Sequence, residues 1–178
     1  LSCTPFGPWA HVNSIYATKA WQQSLHDALP LARLGGEAAW HQLESGTDFF
    51  SEHCAKSWMY ELDEWIRVRA HPRSSREIVD PGQPGAKAQS GESMEKTSDP
   101  WASDELLLQP FANVRCGSLP KMCNGRHLPG GVRGRDARSA QEWTWDFARR
   151  SADGCMALLQ KRQWQKAGRL DEERQTAE

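Results

Sequence analysis

Between Arg73 and Asp99 the only sizeable apolar side chains are Ile78, Val79 and Met94, set among residues that are almost all Ser, Gly, Pro, Gln, Lys and Glu. A stretch of that composition cannot bury enough surface to offset the entropy lost on ordering it. Any core must therefore be assembled from the blocks on either side, and the stretch itself is expected to be a linker or an extended segment lying on another surface. The chain has 178 residues, 38% of them hydrophobic and 25% charged, with 14 glycines and 10 prolines. Those values fit one ordinary domain with a modest core and irregular segments attached. Nine tryptophans supply large apolar side chains and exclude a wholly disordered chain.

In the first block, Asn13 is placed to cap a helix from Ser14 to Ala28, with Trp21, Leu25, Ala28, Leu29 and Ala32 along one face. Pro30 should kink or end it, Gly35 and Gly36 punctuate, and Glu37 to Glu44 reads as a second short helix closed by Gly46. The clearest periodicity runs from Thr47 to Ala70. Phe50, Cys54, Trp58, Leu62, Trp65, Ile66 and Val68 fall on one broad face of a helix that His71-Pro72 would stop. Two i,i+4 pairs, Glu52 with Lys56 and Asp63 with Arg67, would support it.

In the second block, Ser103, Asp104 and Glu105 open a short helix through Leu108, stopped before Pro110, and Phe111 to Cys116 reads as extended. A last helix opens at Ser139 with Glu142 completing a capping box, and its apolar face is read as Trp143, Phe147, Ala148, Cys155, Leu158 and Leu159. Gly154 should weaken its middle by roughly 1 kcal/mol relative to Ala. The charged run from Gln160 to Glu178 is expected to fray or project into solvent.

These elements predict a mainly α fold, a small irregular helical bundle of three to four helices with long Gly/Pro/Ser-rich connecting segments. The expected organisation is an N-terminal helical region over 13–71, a flexible or extended linker over 72–102 and a loop-rich basic segment over 103–138. A C-terminal helix over 139–170 packs back on the N-terminal region, and 171–178 is a charged tail. No apolar run approaches the roughly 20 residues of a membrane-spanning helix. The chain begins at Leu1 without the features of a signal peptide, so any such peptide is expected to have been removed or the chain to be a fragment. Five cysteines at wide spacings are unlike a secreted disulfide framework, which favours an intracellular or organellar interior.

Cys116, Cys123 and His127 form C-x6-C-x3-H, donors that suit tetrahedral zinc, but no C-x2-C accompanies them and unligated loop cysteines are the preferred reading. Arg115, Lys121, Arg126, Arg133, Arg135 and Arg138 face only Asp136, whereas Glu37 to Glu64 is acidic. With a net charge of −1, the two stretches are expected to face each other or oppositely charged partners rather than nucleic acid. His53 beside Cys54 is not read as a nucleophile with its base, because adjacent helical side chains diverge by about 100°. Glu61 and Glu64 read as solvated helix charges, and Gly130 to Gly134 lacks the strand and the Lys-Ser/Thr ending of a phosphate loop.

Gly36-Glu37-Ala38-Ala39-Trp40 followed by Gly46-Thr47-Asp48-Phe49-Phe50 resembles the dimerisation-side helices of the acetylserotonin-type O-methyltransferases. The glycine spacing is one residue longer here, and the Asp-x-Gly-x-Gly loop that would bind S-adenosylmethionine is missing, with Val79-Asp80-Pro81-Gly82 a poor substitute. The chain is not assigned to that family. It is expected instead to be a non-catalytic interaction protein, an accessory or structural subunit with other protein subunits as partners and no cofactor. Its contact candidates are Trp9, Trp101, Trp145 and Trp164 with Arg126, Arg133, Arg135 and Arg138, since Trp and Arg are enriched where chains meet. The alternative is a small metal- or nucleic-acid-binding module using the loop from Cys116 to Arg138.

Overall fold

The computed structural model describes residues 5–79, 97–114 and 143–176. Helices dominate, as the periodicity predicts: α1 (Ala10–Tyr16), α2 (Thr18–Glu44), α3 (Asp63–Ala70), α4 (Glu105–Leu108) and α5 (Trp145–Thr176). Short 3-10 turns at Trp58–Glu61 and Gln109–Phe111 link them. A small antiparallel sheet is added, in the order β1 (Phe50–Ser51), β3 (Trp101–Ala102), β2 (Ser75–Arg76). Phe50 and Ser75 both stand opposite Ala102, and Ser51 and Arg76 opposite Trp101.

The continuous helix expected from Thr47 to Ala70 does not form. Only its last part, α3, is α-helical, and it ends where His71-Pro72 predicts. Strand pairing overrides the helical period upstream. Ser103 N donates to Phe49 O at 3.2 Å, Phe49 N donates to Ser103 Oγ at 3.0 Å, and Cys54 bridges to Ser98. Lys56 then turns at φ 59°, and Ser57 Oγ caps the 3-10 turn by accepting from Met59 N at 3.2 Å. In an extended chain adjacent side chains point to opposite faces. Phe49 therefore enters one hydrophobic cluster while Phe50 packs against two others. Neither expected i,i+4 pair forms: Glu52 accepts from Trp143 Nε1 at 3.1 Å, and Arg67 pairs with Glu37 of α2.

α2 also departs from the expected break, running unbroken through Pro30, Gly35 and Gly36. Pro30 and His26 are both exposed, so the carbonyl that Pro30 leaves without a helical donor lies on the wet side. The glycine at 36 is a packing device. A Cβ there would lie 2.7 Å from Glu64 Cβ and 3.2 Å from the Trp65 ring, so its absence lets α3 lie directly on α2. Asn13 lies inside α1 and caps nothing, because α1 begins at Ala10.

Ala28, Ala32, Ala39 and Leu43 of α2 form the first cluster with Phe6, Phe49, Met59, Tyr60, Trp65 and Val68. Trp65 Nε1 donates to Ala32 O at 2.8 Å, and Tyr60 OH donates to Asp99 O at 3.1 Å. Burial pushes the Tyr60 phenol far above its ordinary value, which keeps this hydroxyl a neutral donor. The segment expected to be a linker is built into the core at both described ends. Val79 is fully buried with Phe111, Val114 and Phe147, Ser98 bridges both Cys54 and Val79, and Trp101–Ala102 is the central strand of the sheet. Phe111 lies in the second 3-10 turn, not in an extended run, because Pro110 fits the first turn of a helix.

α4 forms as expected, with Asp104 Oδ1 capping Leu106 N at 3.0 Å. α5 starts later than predicted, at Trp145. Thr144 is its cap, accepting from Phe147 N on Oγ1 at 3.2 Å, and Ser139 to Glu142 lie outside the described residues. Gly154 of α5 meets α4 so closely that a Cβ would sit 2.8 Å from Leu107 O and 3.0 Å from Leu107 Cα. Intrinsic propensity favours Ala over Gly in a helix by roughly 1 kcal/mol. Crowding against backbone costs about 1–3 kcal/mol. Gly154→Ala is therefore expected to destabilise the protein, read as a lower midpoint in urea unfolding, and a raised midpoint would contradict the packing described.

Candidate interaction surface

α5 is 32 residues long, or roughly 48 Å at the usual rise. Its inner face is Phe147, Ser151, Gly154 and Leu158, packed on α4 and the second 3-10 turn. Arg150 Nη1 donates to Pro110 O at 2.6 Å, and its Nε pairs with Asp146 at 2.7 Å. Further along, Lys161 reaches Asp104 at 2.6 Å and Arg162 reaches Asp48 at 2.5 Å, with a hydrogen bond to Gly46 O at 3.0 Å. The helix is thus stapled to the body over its first five turns.

The opposite face is also apolar. At 3.6 residues per turn, Trp145, Ala152, Met156 and Leu159 fall within an arc of about 60° centred away from Phe147, Gly154 and Leu158. Trp145 is 84% exposed, Met156 55% and Leu159 53%. The expected apolar face had placed Cys155, Leu159 and Trp143 inside, yet all three are exposed. Two stripes compete for the core, and the small residue Gly154 selects the one that can approach α4. Every residue from Lys161 to Arg169 is exposed, including Trp164 at 77%.

The remaining sequence candidates fall as follows. Trp9 is 49% exposed. Trp101 is removed from the contact set, because it sits in the central strand, buried, with the Arg69 and Arg76 guanidiniums 5.5 and 5.7 Å from its ring centre. Arg126, Arg133, Arg135 and Arg138 lie outside the described residues, as do Cys116, Cys123 and His127. Among the described residues, no group of three or more His, Cys, Asp or Glu is placed to hold a metal ion, and no helix is long and apolar enough to cross a membrane.

The acidic stretch is answered by cations drawn from several elements. Glu64 pairs with Arg33 at 2.8 Å, Glu61 with Arg69 at 2.6 Å, Glu37 with Arg67, and Asp48 with Arg73 at 3.0 Å. Glu61 and Glu64 therefore do not form a carboxylate pair. His53 and Cys54 differ from expectation, since His53 Nδ1 lies 3.3 Å from Cys54 Sγ. Both are buried, and the imidazole packs edge-on against Phe6 and Tyr60. A cavity of about 200 Å³ between α2 and β1, floored by Gly35, Ala38 and Ala39, is lined in part by His53. Ligand pockets usually begin near about 300 Å³. The outer side of α5 is the feature that sets this surface apart. Comparisons with family models, with curated proteins and with solved structures found no match.

Partial burial works to raise the Asp104 carboxyl, but the Lys161 ammonium, the Leu106 N–H and nearby Arg162 outweigh it and hold the group below its ordinary value. A depressed carboxylate contributes stability above the unfolded-state pKa of about 4 and loses it as pH falls through the folded value. Lys161→Met should therefore cost stability at neutral pH, and its difference from the native sequence should shrink on acidification below about pH 4. Urea unfolding across an acid series measures this. A gap that widens on acidification would contradict the assignment.

Proposed function

We propose that this chain is a non-catalytic interaction protein, an accessory or structural subunit of a larger assembly that meets other protein subunits through α5. The reading is carried by one observation: α5 is apolar on two opposite faces, and the described residues of the body pack against only one of them. A contiguous apolar patch of a few hundred Å² rimmed by polar groups is often a functional surface. The exposed half of the helix adds Trp164 beside Arg162 and Arg169, and Trp and Arg are the residue types that anchor interfaces. Among the described residues, the adjacent thiol and imidazole of Cys54 and His53 are buried in the core and in contact with each other.

The test is isolation of the tagged chain at native expression, followed by size measurement and crosslinking mass spectrometry. The expected result is a complex of fixed stoichiometry, with crosslinks from Lys161 and Lys166 to a different polypeptide. Trp164→Glu should weaken it by roughly thirtyfold, the loss of one anchor residue worth about 2 kcal/mol. A chain that travels alone, or only with copies of itself, would overturn the proposal.

A further inference from the structure

We infer that the outer face of α5 between Trp145 and Leu159 pairs antiparallel with the same face of a second copy of this chain. This rests on reading α5 as an interaction element, and it assigns one stretch of that element its occupant. Trp145, Ala152 and Leu159 recur every seven residues, with Ala148 and Cys155 between them, the spacing by which two helices mesh along a seam. The seam is small in the middle, at Ala148, Ala152 and Cys155, and large at its ends. Folding it about a two-fold axis at Ala152 sets Trp145 across from Leu159 of the second copy and Met156 across from Ala148. Bulk meets a gap at the Met156 end, and the small centre lets the helices approach.

Charge selects the same arrangement. Arg149 is the only cation on the outer side of this stretch, and it pairs within the helix to Asp146 at 2.7 Å and Asp153 at 3.2 Å. With Arg150 also paired to Asp146, two arginines balance two aspartates over this stretch, so it has no net charge with which to repel its copy. Parallel pairing would lay Lys161, Arg162, Lys166 and Arg169 beside their own duplicates, whereas antiparallel pairing sends the two basic runs to opposite ends. The area is also adequate. One largely exposed Trp and two half-exposed aliphatic side chains offer roughly 400 Å² of apolar surface per copy. At the usual apolar share of about 60%, the pair would bury about 1,300 Å² in total, at the lower end for a specific interface.

Sedimentation equilibrium of the purified chain tests this, with a concentration-dependent monomer–dimer equilibrium expected. Met156→Glu with Leu159→Glu should weaken the dimer by at least about tenfold while leaving the circular dichroism spectrum unchanged, since both side chains are exposed. In a background with Cys3, Cys116, Cys123 and Cys155 replaced by Ser, mild oxidation should crosslink Ala152→Cys to itself and leave Trp145→Cys uncrosslinked. A native chain that stays monomeric at all concentrations overturns the pairing. So does a dimer that ignores the double substitution, or one that crosslinks equally at 145 and 152. A monomer that still forms a complex with another polypeptide through Trp164 removes this pairing and leaves the proposed function in place. A dimer with no other subunit does the reverse.

Discussion

Asp48 stands where four segments of the chain converge. Its carboxylate accepts from Ser103 Oγ at 3.0 Å, at the turn between β3 and α4, and from Arg73 at 3.0 Å, on the approach to β2. It also meets Arg162 of α5 at 2.5 Å. Asp48 itself follows the end of α2, whose Leu43 carbonyl receives a further bond from Arg73 at 3.0 Å. Such charge-assisted bonds are stronger than neutral ones. Their arrangement matters more than their number here, because Asp48 and its donors lie far apart in sequence. They fix where the second block of the chain sits against the first.

The clusters divide the molecule along the same line. Phe49 belongs to the cluster between α2 and α3, and Phe50 to the clusters under α4 and α5. An extended chain can serve two sides at once, which a helix cannot do for neighbouring residues. Ring contacts continue the join, with Phe50 stacked on Phe111 at 5.9 Å and Phe111 tilted against Phe147 at 4.8 Å. Small residues set the distances between helices: Gly36 between α2 and α3, and Gly154 between α5 and α4. The tryptophans divide by this geometry. Trp65 and Trp101 are consumed in the interior, whereas Trp145 and Trp164 are left on the outside of a helix whose inner face is already filled.

This division is what turns a small helical protein into a candidate for assembly. A helix held by Arg150, Lys161 and Arg162 is fixed in position, so its outer apolar stripe is presented without further ordering. A surface arranged before contact loses less entropy on binding. Beyond Leu159, the charges of Lys161 and Arg162 are answered by Asp104 and Asp48 of the body.

Much of the helical content was legible in the residues alone. The Leu25, Ala28, Leu29 and Ala32 part of the first stripe, the stop at His71-Pro72 and the opening of a short helix at Ser103 to Glu105 all act within a turn or two of chain, and each appears in the structure. The Thr47 to Ala70 period misled, because the bonds that straighten residues 49 to 54 come from Ser98 to Ser103, about fifty positions away, which no local pattern records. The same limit applied to the candidate surface. Sequence supplied a C-terminal helix carrying Trp145 and Trp164, but periodicity merged its inner and outer apolar stripes into one face. Only the tertiary structure ranked them, because the backbone of Leu107 leaves room for a glycine and for nothing larger.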